Sequence, residues 1–264
     1  MKCAHIHIPS KFHMKLKRQF LALVTQYRYQ SKMEVDISGL RKQCRSKDDA
    51  FLEKDLVSEE PIGQFKAWYD EVCASKDILF PGAMCLATVS QEGFPSARYV
   101  ICTSFSKDGF KFFTDYSSRK SKEMDKNPNV AATFYWAACD RSIRIEGQAE
   151  KLPEEESTGA FKSRPVDAQA AVWASAQSIA IESKALLGER QNELINKFLA
   201  EKEVPKPSYW GGYIIRPSAV EFWQAQSNRL SDRIRFRRPE DRETPDGKLV
   251  HEGEDDWVYE RLSP

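Results

Sequence analysis

Arg229 and Arg233 stand four residues apart in the run Asn228-Arg229-Leu230-Ser231-Asp232-Arg233, close behind Trp210-Gly211-Gly212-Tyr213 and Glu221-Phe222-Trp223-Gln224. Two guanidinium groups beside strands that read as buried need anions or solvent, so this run reads as an anion-binding wall. Trp223, set among Phe222, Trp210 and Tyr213, reads as part of an aromatic core cluster. A second basic group lies upstream. Arg98 sits on a strand beside Ser96 and Tyr99, and Arg119-Lys120 opens a short helix behind Ser117-Ser118. Helix-start N–H groups joined by Arg and Lys make a seat for a phosphate. Taken singly, either element is also what a solvated basic turn looks like; their succession on neighbouring elements points to phosphate. Gln177-Ser178 closes an apolar helical run and reads as its cap, with the edge of a heterocycle as the other partner for its polar groups.

Other chemistry has little raw material. Three of the four histidines (His5, His7, His13) fall in the first thirteen residues, which leaves His251 for the rest of the chain. A His-based triad or a multi-His metal site therefore has almost nothing to build from, and no metal is expected. Redox or group-transfer chemistry has to come from a bound cofactor. The six cysteines include no CxxC, so neither a disulfide framework nor a zinc site is expected, and a reducing intracellular compartment fits. A net charge of +1 argues against a dedicated nucleic-acid binder. No run of 18 apolar residues spans a membrane. With 264 residues, 41% of them hydrophobic and 30% charged, the chain reads as a soluble globular protein.

The elements that position these groups follow from periodicity. Phe65, Trp68, Tyr69 and Val72 recur at helical spacing behind Pro61, which predicts a helix over 61–75. Strands are predicted over 84–89, 97–105, 110–114, 130–136 and 142–150, with Lys107-Asp108-Gly109 as a hairpin turn. A short polar helix over 117–126 ends at Asn127-Pro128. Helices over 153–163, 167–176 and 183–201 lead to Val204-Pro205-Lys206-Pro207, and two or three final strands cover 212–222, 233–237 and 257–262. Strands without helical crossovers predict an antiparallel barrel, and the helical insert does not read as a separate domain. The expected organisation is a basic extension over 1–39, a closing segment over 40–61, and one α+β domain over 62–264. Residues 1–33 contain no Asp or Glu. That start reads as a disordered extension; a mitochondrial presequence is the alternative to a cytoplasmic location.

From about Leu40 onward the chain resembles the pyridoxine/pyridoxamine 5′-phosphate oxidase family. The resemblance rests on Pro95-Ser96-Ala97-Arg98, Phe112-Phe113-Thr114, Ser118-Arg119-Lys120, Phe134-Tyr135-Trp136, Arg144-Ile145-Glu146-Gly147, Ser163-Arg164-Pro165, the Trp210 and Glu221 motifs, Arg229-Leu230 with Asp232-Arg233, and Glu260-Arg261-Leu262. It implies an FMN-binding Greek-key split barrel and a homodimer with flavin at the subunit interface. It implies oxidation of pyridoxamine 5′-phosphate or pyridoxine 5′-phosphate to pyridoxal 5′-phosphate, with dioxygen reoxidising the flavin to release hydrogen peroxide. Carried over residue by residue, the flavin contacts are Arg98, Tyr99, Val100, Ile101, Phe113, Thr114, Arg119, Lys120, Gln177, Ser178, Trp223 and Arg233. Ser142 stands where the family has a glutamine.

The substrate side departs from the pattern. The family grips the vitamer phosphate with Lys, Tyr, Arg and Ser; here those positions are Thr103, Ala160, Arg164 and Ala168. Over the vitamer ring the family places Arg and His, here Arg229 and Ser231, so Arg229 is the expected catalytic contact. A family tyrosine in the closing segment is Cys44, and Ala225 replaces a glycine. Two readings stay open: an oxidase of phosphorylated B6 vitamers, or a diverged flavin-binding relative that acts on another small molecule. A nucleic-acid binder has only the basic N-terminus in its favour.

Overall fold

A computed structural model describes residues 49–264; the extension over 1–39, the first part of the closing segment and Cys44 lie outside the described residues. Helix α1 (Pro61–Ala74) begins where the Glu60 carboxylate accepts the backbone N–H groups of Ile62 and Gly63, with Pro61 in the first turn. Its apolar stripe buries Phe65, Trp68 and Val72. Phe65 packs against the rings of Phe105, Phe110 and Phe134, which joins the helix to the barrel core.

Six antiparallel strands close that barrel: β1 (Ala83–Val89), β2 (Pro95–Ser106), β3 (Gly109–Asp115), β4 (Asn129–Trp136), β5 (Arg141–Lys151) and β6 (Trp210–Gln224). They pair in the order β3-β2-β1-β4-β5-β6, and β6 returns to β3. Beyond β6 the sheet continues through β7 (Asp232–Arg237), β9 (Val258–Arg261) and β8 (Val250–Glu252). β6 is fifteen residues long and serves β3, β5 and β7 in turn. Its register shifts between Glu146 and Gly147, where a Cβ on Gly147 would lie 2.0 Å from the Arg216 carbonyl oxygen.

Period-2 alternation sends Val130, Ala132, Phe134, Ile143, Ile145, Val220 and Phe222 inward. The other face carries the polar row Tyr99, Cys85, Thr133, Arg144 and Glu221, aligned across β2, β1, β4, β5 and β6. β2 is mostly uncovered on this face: Tyr99 and Ile101 are 74% and 52% exposed. α2 (Arg119–Met124) packs against β1. α3 (Glu154–Lys162), α4 (Val166–Ala174) and α5 (Lys184–Glu201) form the insert between β5 and β6. They build a second core of Phe161, Ala170, Phe198 and Val204 that shares Trp210 with β6, so the insert is packed onto the barrel. Residues 49–264 form one compact unit. Phe51, assigned to the closing segment, is buried in the main core and donates its N–H to Asp232.

Three expectations change. β8 was not predicted, because Val250–Glu252 is too short to show a period. The aromatics near Trp223 do not form one cluster. Tyr213 stacks on Phe112 and Phe222 packs on Trp68 in the main core, Trp210 stacks on Phe113 in the second core, and Trp223 is half-buried on the face opposite Phe222. Alternation along one long strand separates them. The helix predicted over 167–176 spans Val166–Ala174. No helix among the described residues is long and apolar enough to cross a membrane.

Candidate active site

The seventeen expected site residues fall into two cavities with no lining residue in common. The first, about 590 Å³, lies between the exposed face of β2, the end of β3, α2 and the loop after α4. It gathers Arg98, Tyr99, Val100 and Ile101 from β2, Phe113 and Thr114 from β3, and Arg119 and Lys120 from α2. Thr103, Arg164, Gln177 and Ser178 complete it.

Lys120 is 6% exposed, and its ammonium donates to Thr114 Oγ1 at 3.0 Å, Ser118 Oγ at 3.2 Å and Gln177 Oε1 at 2.6 Å. All three acceptors are neutral. Burial pushes its pKa below the ordinary 10.5, the neighbouring Arg98 charge adds to that, and Asp115 opposes it. Arg98 is held by four bonds, to Leu86 O, Thr88 Oγ1, Ser96 Oγ and Glu123 Oε2. Arg119 donates Nε–H to Glu123 Oε1 at 2.8 Å. α2 has only six residues, so side-chain cations dominate over any helix dipole here.

The substrate-side positions are sparse in donors. Thr103 is the bulged residue between Cys102 and Ser104, and its hydroxyl is spent on Lys111 O at 3.2 Å. The Arg164 guanidinium lies over the Trp210 ring, 4.8 Å from its centroid, with burial lowering its pKa. Ala168 lines an adjoining cavity with Arg164, and Ala160 packs on the second core. Neither alanine offers a hydrogen bond.

The Gln177-Ser178 pair does not cap its helix. Ser175 ends the helix, and Gln177 Oε1 accepts from both Lys120 and Thr114. Ser178 adopts φ 70°, a left-handed conformation rare for serine.

The second cavity, about 540 Å³, holds Ser142, Trp223, Arg229, Ser231 and Arg233, with Thr133, Tyr135, Arg144 and Glu221. Arg233 donates to Glu221 Oε1 and to the Ser263 carbonyl, at 2.7 and 2.8 Å. Arg229 is exposed, at φ 67°. The expected wall of two equivalent arginines is thus one anchored group and one free to meet a ligand. Sequence reasoning missed the supporting residues Glu123, Glu221, Thr88 and Asp115. The four-residue Arg119–Glu123 spacing was a visible signal for the first; Thr88 gave none.

The donor set fits a bound phosphate ester. Lys120 is a buried cation whose hydrogen-bond partners are all neutral, and the half-buried Arg164 lies on an aromatic face; an anion in the first cavity would offset the cost of withdrawing them from water. The closed barrel with this cleft is the architecture of the FMN-binding split barrels. An FMN-binding protein from Nostoc punctiforme, described as related to pyridoxamine 5′-phosphate oxidase, shares it at TM-score 0.56 and 14% identity over 75% of this chain and 96% of its own. PhzG from Burkholderia lata, solved with tetrahydrophenazine-1-carboxylic acid, matches at TM-score 0.71 and 30% identity over 83% of this chain and 100% of its own. Family models match as pyridoxamine 5′-phosphate oxidase over residues 76–193 and as the pyridoxine 5′-phosphate oxidase C-terminal dimerisation region over 210–264. A pyridoxine/pyridoxamine 5′-phosphate oxidase from Bombyx mori is 57% identical over 94% of this chain and 97% of its own. A pyridoxine-5′-phosphate oxidase from Bos taurus is 48% identical over 87% and 88%. The chain belongs to the pyridoxine/pyridoxamine 5′-phosphate oxidase family. Membership makes it an oxidoreductase and implies a flavin cofactor, and six residues of the second cavity (Glu221, Trp223, Arg229, Ser231, Arg233 and Pro264) lie in its dimerisation region.

Proposed function

We propose that this chain oxidises pyridoxamine 5′-phosphate and pyridoxine 5′-phosphate to pyridoxal 5′-phosphate, using FMN and dioxygen and releasing hydrogen peroxide. The observation that carries the FMN assignment is Lys120, buried beside Arg98 and Arg119 with only neutral hydrogen-bond partners. Arg119 and Lys120 hold the cofactor phosphate; Arg98, Gln177 and Ser178 bond its polar groups; the apolar stretch from Tyr99 to Ile101 lies along it. Bound FMN supplies the hydride acceptor. The second cavity completes the site of a second copy, with Trp223, Arg233 and Ser142 on the flavin and Arg229 against the vitamer. Arg164 takes the vitamer phosphate and orients the ring. No strong base is obligatory, so Ser231 in place of a histidine is compatible with turnover.

Thr103, Ala160 and Ala168 weaken that grip. A hydrogen bond to a charged group contributes about 1.5–3 kcal/mol. Three losses therefore amount to several kcal/mol, and affinity falls roughly tenfold for each 1.4 kcal/mol. This observation favours one second reading: a relative that keeps the flavin but takes a phosphate-free substrate, as the ligand of the Burkholderia lata PhzG is. The test is to purify the protein, record its flavin spectrum and follow peroxide release with pyridoxamine 5′-phosphate. A yellow protein without turnover at saturating substrate removes the vitamer reading. A colourless protein that takes up no added FMN removes both.

A further inference from the structure

We propose that Glu123 is a positioning residue that aims Arg119 at the flavin phosphate and thereby sets the preference for FMN over phosphate-free riboflavin. The proposal rests on the reading of the first cavity as an FMN site. Glu123 is 6% exposed on α2. An ordinary four-residue helix pair would leave its second oxygen in water. Here Oε2 accepts from Thr88 Oγ1 on β1 and from Ser96 Oγ on β2, at 2.5 and 2.7 Å, with Arg98 at 3.4 Å. The carboxylate thus ties the helix to two strands of the barrel. Burial works against its charge, but the hydrogen bonds from Thr88, Ser96 and Arg119 outweigh it and hold the carboxyl at about 2.

The geometry determines what Arg119 has left to offer. Glu123 occupies its Nε–H, so both terminal amino groups remain for a planar, two-pronged grip on phosphate oxygens. The Arg119 side chain is otherwise 61% exposed and free to sample rotamers, an entropy the bound anion would have to remove. Arg98 is immobilised by the same carboxylate and its two hydroxyl partners, Thr88 and Ser96. Two guanidiniums against one carboxylate leave a net positive charge facing the cavity, so orientation is gained without cancelling the attraction.

The test uses the full chain stripped of flavin, with dissociation constants for FMN and riboflavin read from quenching of flavin fluorescence. Glu123→Gln keeps the shape but removes the charge and leaves one acceptor oxygen where Arg119 Nε–H and the Thr88 and Ser96 hydroxyls now share two. The expected result is an FMN constant at least tenfold weaker with the riboflavin constant unchanged within twofold. Combined with Arg119→Gln, the effect of E123Q on the FMN-to-riboflavin ratio should shrink, because part of it acts through Arg119. Equal loss for both flavins, unchanged or tighter FMN binding, or full additivity of the two variants overturns the proposal. Should E123Q not fold, Arg119→Lys carries the test, since lysine keeps the charge and has no Nε–H for Glu123; a wild-type ratio then overturns it. A wild-type protein that binds neither flavin removes the cofactor reading and this role with it.

Discussion

Arg233 on β7 reaches diagonally across to Glu221 on β6, its Nε 2.7 Å from a carboxylate that is only 7% exposed. The residue directly opposite Glu221 in the register is Arg235, so the contact is chosen by side-chain direction, and Arg144 fills the other oxygen from β5. Three strands converge on one negative charge. Removing it leaves two arginines facing each other. Glu221→Ala is expected to cost about 2 kcal/mol, below the usual 3–5 for a broken buried pair because both arginines are partly hydrated. The melting temperature should fall by roughly 4–8 °C in a thermal scan.

The same carboxylate gives a pH signature. Burial raises the Glu221 pKa, but bonds from Arg233 and Arg144 outweigh that and hold it below the ordinary 4.5. Its stabilisation is complete above that value and is lost as pH falls below it. Wild type should lose more stability than Glu221→Gln between about pH 5 and 3, measured by urea unfolding at each pH. Parallel curves would show that the pair contributes nothing.

Restoring the donors of the vitamer phosphate site tests the substrate assignment. Thr103→Lys combined with Ala160→Tyr and Ala168→Ser should lower the Michaelis constant for pyridoxamine 5′-phosphate by at least about tenfold, one charged hydrogen bond's worth. An unmoved constant would mean that these positions do not face the phosphate.

Lys120 gives the flavin site its own pH dependence. Its pKa lies below 10.5, so the cation is lost earlier in an alkaline titration than an exposed lysine would lose it. The ratio of FMN to riboflavin affinity should decline as pH rises into the alkaline range, since ionisation of the flavin ring is common to both ligands and cancels. In Lys120→Arg the decline should disappear, because arginine stays charged throughout.

Gly147 is a backbone constraint without chemistry. Gly147→Ala forces a Cβ against the Arg216 carbonyl and is expected to destabilise by roughly 1–3 kcal/mol or more. The FMN-to-riboflavin affinity ratio should remain that of wild type, which separates loss of fold from loss of site.

The barrel was legible because Ile143/Ile145 against Arg144/Glu146, and Phe134 beside Tyr135, alternate cleanly between core and surface. Helix α1 was legible from Pro61 at its start and from its aromatic spacing. The cation set of the first cavity was legible because Arg98, Arg119 and Lys120 fall on successive elements. Its supports were not: Thr88 meets Glu123 only through pairing of segments thirty-five residues apart. Gln177 was misread because a polar residue after an apolar run looks like a cap until a buried ammonium is found beside it. Trp223 was misread because a fifteen-residue strand sorts its aromatics to two faces, and spacing within a motif does not say which face lacks cover.

The two cavities share no residue, and that has a genetic consequence. If each flavin is held by the first cavity of one copy and the second of another, lesions in different cavities need not be equivalent to lesions in the same one. An Arg119 variant mixed with an Arg233 variant forms hybrid dimers in which one site collects both defects and the other collects none. Random pairing makes half the dimers hybrid and returns about a quarter of all sites. Two inactive alleles of this gene should therefore complement when each carries its lesion in a different cavity, and fail when both fall in one.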